Sequence, residues 1–259
     1  MSFLRNPDNR RVMAAKAWVA EALCSPAMGR AVTRATGGVV RVKGLRIDTR
    51  SAALDPGVPA ALLFRIYEGA ELRLLEAHVE PSACVVELGT SLGVVGSAAA
   101  RALEPGARYV GVEANPALVG LALRNVRANA PQVAADVLHG AIDYSRAAGD
   151  TTAFRSEGSH LASALGEGPG FVAPVVRLGD LLREQGVGDY TLLMDIEGAE
   201  AGLLERDSAA LEWCRQMIVE FHDTTFAGRA WSRAELAARV DDLGFRRVAE
   251  YGSVVVYAR

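Results

Sequence analysis

The feature that most constrains this chain is a regular alternation of short apolar runs with helical stretches, beginning at Ala83. The runs are Ala83–Leu88, Arg108–Glu113, Val133–Gly140, Tyr190–Asp195 and Gln216–His222. They are short, continuous and rich in β-branched residues, as buried parallel strands are. Between them lie helical stretches over Leu92–Leu103, from Asn115-Pro116 to Asn129, over Gly179–Gln185 and over Gly198–Arg206. Asn115 is an N-cap residue and Pro116 suits the first helical position. Ser232 caps a further helix to Leu243, and Phe245–Glu250 and Ser253–Ala258 close the pattern as an antiparallel pair. Such alternation predicts an α/β fold with a doubly wound, mostly parallel sheet.

The first 80 residues read differently. Val12–Thr36 is helix-like and ends at Gly37-Gly38, a glycine C-cap. Val39–Asp48 alternates apolar and basic residues about Lys43-Gly44, which predicts a small β-hairpin. Ala60–Glu80 is expected to be helical. The chain thus divides into a 1–80 N-terminal extension and an 81–259 α/β domain. Within the latter, 142–174 interrupts the rhythm with Gly149, Gly158, Gly166, Gly168 and Gly170. This is expected to be an insertion or lid, with short strands over Thr151–Arg155 and Val172–Leu178.

Composition excludes several functions. Half of the residues are hydrophobic and 23% are charged, which suits a packed core. The net charge of −3 gives no electrostatic case for nucleic acid. Cys24, Cys84 and Cys214 are odd in number and unpaired in spacing, against a disulfide framework or zinc site. Met1–Arg11 lacks an apolar core, and Lys16 and Glu21 interrupt Val12–Cys24, so no signal peptide or membrane span is expected and the working compartment is expected to be the cytoplasm.

Ligands of doubly wound sheets bind beyond the carboxyl ends of the strands, and four segments fall there. Glu87-Leu88-Gly89-Thr90-Ser91-Leu92-Gly93 follows the first strand. Gly89 permits a sharp turn and Gly93 a close backbone approach. The spacing is not that of a pyrophosphate-binding dinucleotide loop. A wider loop led by an acidic residue suits a zwitterionic amino-acid moiety, whose ammonium Glu87 could hold; the alternative is an ordinary glycine-bearing turn. Glu113 ends the second strand, 26 residues later. It can accept hydrogen bonds from both ribose hydroxyls of an adenosine, or simply start a helix with a favourable charge. Asp195-Ile196-Glu197-Gly198-Ala199-Glu200 places three carboxylates at the end of the fourth strand, hard to explain by packing; the alternative is capping by Asp195 and a first turn favoured by the helix dipole. Glu220-Phe221-His222-Asp223 ends the fifth, and His222 is either a general base or a structural histidine.

Together these segments resemble the FkbM family of S-adenosylmethionine (SAM)-dependent methyltransferases. Tyr67-Glu68, the VVELGTSLG loop, the GVEANP segment (Gly111–Pro116), LMDIEGAE (Leu193–Glu200) and IVEFH (Ile218–His222) each resemble a family motif. Glu87 stands where the family usually has aspartate, Thr90-Ser91 where it has Ala-Asn, and Met194 where it has lysine. The resemblance implies a class I SAM-methyltransferase Rossmann-like fold with an antiparallel last strand. It implies methyl transfer to a hydroxyl of a sugar, polyketide or other natural product.

The expected cofactor-binding residues are Tyr67, Glu68, Glu87, Gly89, Thr90, Ser91, Leu92, Gly93, Glu113, Ala114, Asn115 and Asp195, with Gly140, Ala141 and Ile142 lining the adenine. His222 or Asp195 is expected to act as base, and Glu197, Glu200 and Glu220 as orienting groups or Mg²⁺ ligands. The expected partner is a hydroxylated small molecule, with no nucleic acid and no membrane. The N-terminal extension is expected to cover the site or to build a homodimer interface. An N-methyltransferase on the same fold and a catalytically silent SAM-fold partner protein are the alternatives.

Overall fold

The computed structural model describes residues 23–81, 84–155 and 170–259. The chain forms two compact units, Met1–Gly69 and Ala70–Arg259.

In the first unit, helix α1 (Pro26–Thr36) leads into hairpin β1 (Val39–Val42) and β2 (Leu45–Asp48), then α2 (Val58–Leu63). Ser25 caps α1, accepting from the Met28 N–H. The single helix expected over Val12–Thr36 is corrected to a broken one: Leu23 is helical, the chain turns at Cys24-Ser25, and a new helix begins at Pro26, whose missing N–H suits a first turn. The part of that expectation before Leu23 lies outside the described residues. The hairpin pairs Val39 with Asp48 and Val42 with Leu45, as the alternation predicts.

The continuous helix expected over Ala60–Glu80 is also corrected. It is broken between α2 and α3 (Gly69–His78), where Arg65 (φ 58°) and Glu68 (φ 50°) take left-handed backbone conformations. The Ile66 N–H turns back to the Ala61 carbonyl and closes the first helix.

The second unit carries strands β3 (Cys84–Leu88), β4 (Arg108–Glu113), β5 (Ala134–His139), β9 (Tyr190–Met194), β10 (Cys214–Glu220), β13 (Arg246–Tyr251) and β14 (Val254–Ala258) in one sheet. Their order is β13-β14-β10-β9-β3-β4-β5. The five strands from β10 to β5 are parallel, and β14 runs antiparallel between β10 and β13. The last strand in the chain is therefore the antiparallel one, as expected.

Alternate strand residues enter two apolar layers, because successive side chains leave opposite faces of a sheet. Val85, Tyr109, Leu193, Ile218 and Val256 pack with α3, α4 (Val94–Ala102) and α5 (Pro116–Asn129). Val86, Val110, Leu192, Met217 and Val255 pack with α6 (Leu178–Glu184), α7 (Glu200–Arg206) and α8 (Arg233–Asp242). Both faces are covered, so the central strands are largely apolar. Asn115 caps α5 through the Ala117 N–H, and Ser232 and Glu235 form a capping box on α8.

The 142–174 excursion contains ordered structure. The short strand β6 (Ala141–Ile142) pairs in parallel with β8 (Gly170–Val176), which pairs antiparallel with β7 (Thr151–Arg155). The strand expected over Val172–Leu178 ends at Val176, and Leu178 opens α6. Two elements have no counterpart in the expected pattern. One is a 3₁₀ turn over Ser208–Trp213; the other is hairpin β11 (Thr224–Phe226) and β12 (Arg229–Trp231), closed by Ala227-Gly228 with positive φ. No helix among the described residues is long and apolar enough to cross a membrane.

The ends of β3 and β9 touch at Gly89. With φ 86°, its position admits no side chain, since a Cβ would lie 1.9 Å from the Asp195 carbonyl oxygen. Gly106 has a similar φ of 85° but open space around it. Gly89→Ala should therefore lose about 3 kcal/mol or more, from left-handed strain and backbone overlap together. Gly106→Ala should lose only about 1 kcal/mol, from strain alone. Urea unfolding followed by circular dichroism checks this; equal losses would contradict the close-approach account.

Candidate active site

The glycine loop is built on one carbonyl. The Gly89 and Thr90 N–H groups both donate to the Val112 carbonyl at 3.0 Å, and the Thr90 hydroxyl donates to it at 3.2 Å. This ties the mouth of β3 to that of β4. Ser91 then takes φ 48°, and the Gly93 N–H closes the turn on the Thr90 carbonyl at 2.8 Å. Gly93 passes so close to α5 that a Cβ would sit 2.9 Å from the Ala122 carbonyl oxygen. Leu92, Thr90 and Gly93 are buried, and the chain turns into α4.

Glu113 is the hinge of this region. One carboxylate oxygen accepts the Ser91 N–H at 2.6 Å and the other the Asn115 N–H at 2.7 Å. It is 8% exposed, and burial raises its pKa against the lowering effect of the Asn115, Ser91 and Ala114 N–H groups. A carboxylate has about four acceptor positions, so acceptor capacity remains for a ligand beside these N–H groups. Ala114 and Asn115 follow as the start of α5.

Glu87 is placed differently from the sequence reading. Its side chain is 3% exposed, lies under the loop, and accepts from the Tyr109 hydroxyl and the Gly96 N–H. The carboxyl that the sequence offers to an ammonium is thus engaged in the core between β3, β4 and α4. Burial pushes its pKa up to about 8.

Where the sequence reading expects the adenine, the Gly140 N–H donates to the Glu113 carbonyl at 3.0 Å, and a Cβ on Gly140 would meet Val176. Ala141 and Ile142 are buried in β6, with Ile142 packing beside Tyr144 and Leu178. Asp143, which the sequence reading passed over, is 5% exposed; one oxygen takes the Ser145 N–H and hydroxyl, and the other has no hydrogen-bond partner. Tyr67 and Glu68 belong to the first unit, where Tyr67 is buried.

The acidic segments do converge. The His222 Nδ1 lies 2.9 Å from the Glu200 Oε1, and its Nε2 lies 3.5 Å from the Glu197 Oε2 and 3.8 Å from the Asp195 Oδ1. Glu200 has no exposed side-chain surface, whereas Asp195 and Glu197 are about half exposed. The turn between them bends through Glu197 (φ 50°) and Gly198 (φ 104°). Glu220 accepts from the Ser253 hydroxyl at 2.5 Å. Glu71 on α3 joins the cluster by a hydrogen bond with Glu220, a partnership across the chain that no motif or spacing signals.

Crowded carboxylates and burial raise the pKa of Asp195 and Glu71, the desolvation being the larger cause for each. The Glu200 hydrogen bond, with the neighbouring carboxylates, raises that of His222. Beside the cluster, an open depression of about 570 Å³ is lined by Asp223, Thr224, Thr225, Trp231, Ser232 and Glu235. The hairpin that forms it rests on the acidic turn, since a Cβ on Gly198 would lie 2.8 Å from the Thr224 hydroxyl oxygen.

A turn of backbone beside a buried carboxylate with spare acceptor capacity fits an adenosine-bearing zwitterion, and the seven-stranded order is that of the class I fold. The fold is that of a SAM-dependent methyltransferase. Residues 83–247 match the FkbM methyltransferase domain, and the chain belongs to that family. No curated protein matches the sequence. Among solved structures, a magnesium protoporphyrin IX methyltransferase from Synechocystis PCC 6803 with bound S-adenosylhomocysteine is similar at 16% identity, over 69% of this chain and 74% of that one, with a TM-score of 0.40. Aeropyrum pernix fibrillarin with bound SAM is similar at 14% identity, over 72% and 73%, with a TM-score of 0.42.

The buried Glu87 yields a pH prediction. Its folded pKa of about 8 lies above the ordinary glutamate value of 4.5, so the folded state holds its proton more tightly. Its contribution to stability is complete below about pH 4.5 and is lost as pH rises towards 8. The slope of that loss is at most about 1.4 kcal/mol per pH unit. Glu87→Gln, which cannot ionise, should flatten the decline of melting temperature across this window. A decline identical to that of the wild type would show that Glu87 does not titrate there.

Proposed function

We propose that this chain transfers the methyl group of SAM to a hydroxyl of a sugar, polyketide or other natural product. The observation that carries this reading is the cluster of Asp195, Glu197, Glu200, Glu220 and His222 at the mouths of β9 and β10, beside the Gly89–Gly93 loop. When bound, SAM supplies an electrophilic methyl on a sulfonium that leaves as a neutral thioether.

Glu113 accepts the ribose hydroxyls with the acceptor positions left by Ser91 and Asn115. The Thr90–Gly93 backbone supports the amino-acid end, and Gly140, Ala141 and Ile142 border the base, with Asp143 behind them. The depression walled by Thr224 and Trp231 receives the acceptor. Its hydroxyl oxygen attacks the methyl carbon in line with the breaking carbon–sulfur bond, and its proton leaves into the carboxylate–imidazole cluster. Alignment is the larger contribution, since fixing two reactants is worth about 7–11 kcal/mol. The Glu200 carboxylate fixes the His222 ring by holding its Nδ1.

Two variants test the assignment by calorimetry with S-adenosylhomocysteine and by turnover. Glu113→Ala should weaken S-adenosylhomocysteine binding at least about tenfold, the effect of losing roughly 1.4 kcal/mol of hydrogen bonding. His222→Ala should lower turnover about 10²–10⁴-fold while S-adenosylhomocysteine affinity stays within a few-fold. A folded wild-type protein that binds no S-adenosylhomocysteine would overturn the cofactor site. Parallel losses of binding and turnover in His222→Ala would overturn the catalytic one.

A further inference from the structure

The acidic cluster holds more negative charge than its own residues balance. Among the described residues, the ion pairs of Asp195, Glu197 and Glu200 are all made with the one imidazole of His222. Ligating atoms of Asp195, Glu220 and His222 all lie within 4.8 Å of one another. They come from the end of β9, the end of β10 and two residues beyond it, so the sheet itself sets their spacing.

Two further observations point to an ion at their centre. The first is Glu200, which is fully buried; one oxygen holds the His222 Nδ1 at 2.9 Å and the other has no hydrogen-bond partner. A ring held this way turns its Nε2 towards Asp195 and Glu197, the arrangement in which a buried carboxylate orients a metal-binding histidine. The second is the Asp195 Oδ1, itself buried and without a hydrogen-bond partner, 3.8 Å from that Nε2. A separation of 3.8 Å is too long for a hydrogen bond. It suits two ligands of one ion, each about 2.0–2.2 Å from it.

We propose that Asp195, Glu220 and His222 bind one divalent first-row transition-metal ion of the Mn²⁺ class, with Glu200 as the buried group that orients His222. Two carboxylates and an imidazole form a mixed oxygen and nitrogen donor set, which favours such an ion over Mg²⁺ or Ca²⁺. The proposal rests on the methyltransferase reading above and deepens it. The ion takes Asp195, Glu220 and His222 as ligands, binds the acceptor's hydroxyl oxygen and lowers the cost of removing its proton. Glu197, half exposed and 3.5 Å from His222 Nε2, is then the carboxylate that receives that proton.

The test is a titration of the chelator-treated, dialysed full chain with Mn²⁺, followed by loss of the free-ion electron paramagnetic resonance signal. Circular dichroism and S-adenosylhomocysteine calorimetry on the same samples report folding and the cofactor site separately. One Mn²⁺ should bind per chain and resist an equal concentration of Mg²⁺. Asp195→Ala and Glu220→Ala should each weaken binding at least about tenfold, and the conservative Glu200→Gln about 10–100-fold. The proposal is overturned if folded protein that binds S-adenosylhomocysteine takes up no Mn²⁺ at millimolar concentration, if the ligand variants bind as the wild type does, or if equimolar Mg²⁺ displaces the ion. Mn²⁺ binding that fails in Asp195→Ala and Glu220→Ala, in a protein that binds no S-adenosylhomocysteine, upholds the ion site and sinks the cofactor reading instead.

Discussion

The approach of Gly89 to the Asp195 carbonyl governs the layout of this molecule. The central strands β3 and β9 run parallel and side by side, and the Asp195 N–H donates to the Leu88 carbonyl at 3.1 Å, just past the last paired residues. The two strands therefore end together. Whatever follows them must diverge from one point, and only a residue without a side chain fits there. The loop after β3 turns towards β4 and Glu113, while the loop after β9 turns towards β10 and His222. The glycine loop and the acidic cluster become neighbours because two hydrogen-bonded strands share an end, and not because either loop is long.

The same geometry separates two kinds of carboxylate. Glu113 keeps its charge tolerable by accepting two backbone N–H groups from rigid turns, so its place is fixed by the fold. Glu87, only one strand position before the loop, has a tyrosine hydroxyl and the Gly96 N–H, with Glu113 and Asp195 nearby, and is held towards its neutral form. It behaves as a core hydrogen-bonding group. Two acidic residues that look alike in the sequence, each near a strand end and on the same face of the sheet, are thus assigned opposite tasks by the groups their carboxyls meet there.

This explains which parts were legible in the sequence. Apolar runs and capping residues mark elements by local rules, so β3, β4, β9, β10, α5 and α8 could be read directly. The breaks after Leu63 and before Pro26 were harder. The first depends on left-handed Arg65 and Glu68, residue types with no turn signature, whereas Ser25-Pro26 did carry a start signal that the apolar pattern across it obscured. The β11–β12 hairpin has three-residue strands, too short for periodicity to register. In the site, Asp195, Glu197, Glu220 and His222 stand in compact motifs and could be named. Glu71 could not, because its hydrogen bond with Glu220 depends on how α3 lies across the sheet, and Asp143 could not, because only its burial distinguishes it.

Glu200 shows how far stability and chemistry diverge here. A carboxylate with no exposed surface is unfavourable unless its hydrogen bonds are complete, and one of its oxygens lacks a partner. An apolar residue of similar size at this buried position, at the start of α7, would avoid that penalty. What the glutamate provides is a fixed imidazole. With Nδ1 held from beneath, His222 has one orientation, and its free nitrogen faces the half-exposed carboxylates at the mouth of the sheet. The stability given up at Glu200 is small beside the core formed by the strands' alternating faces, so the fold can carry one incompletely bonded polar group where it fixes the imidazole.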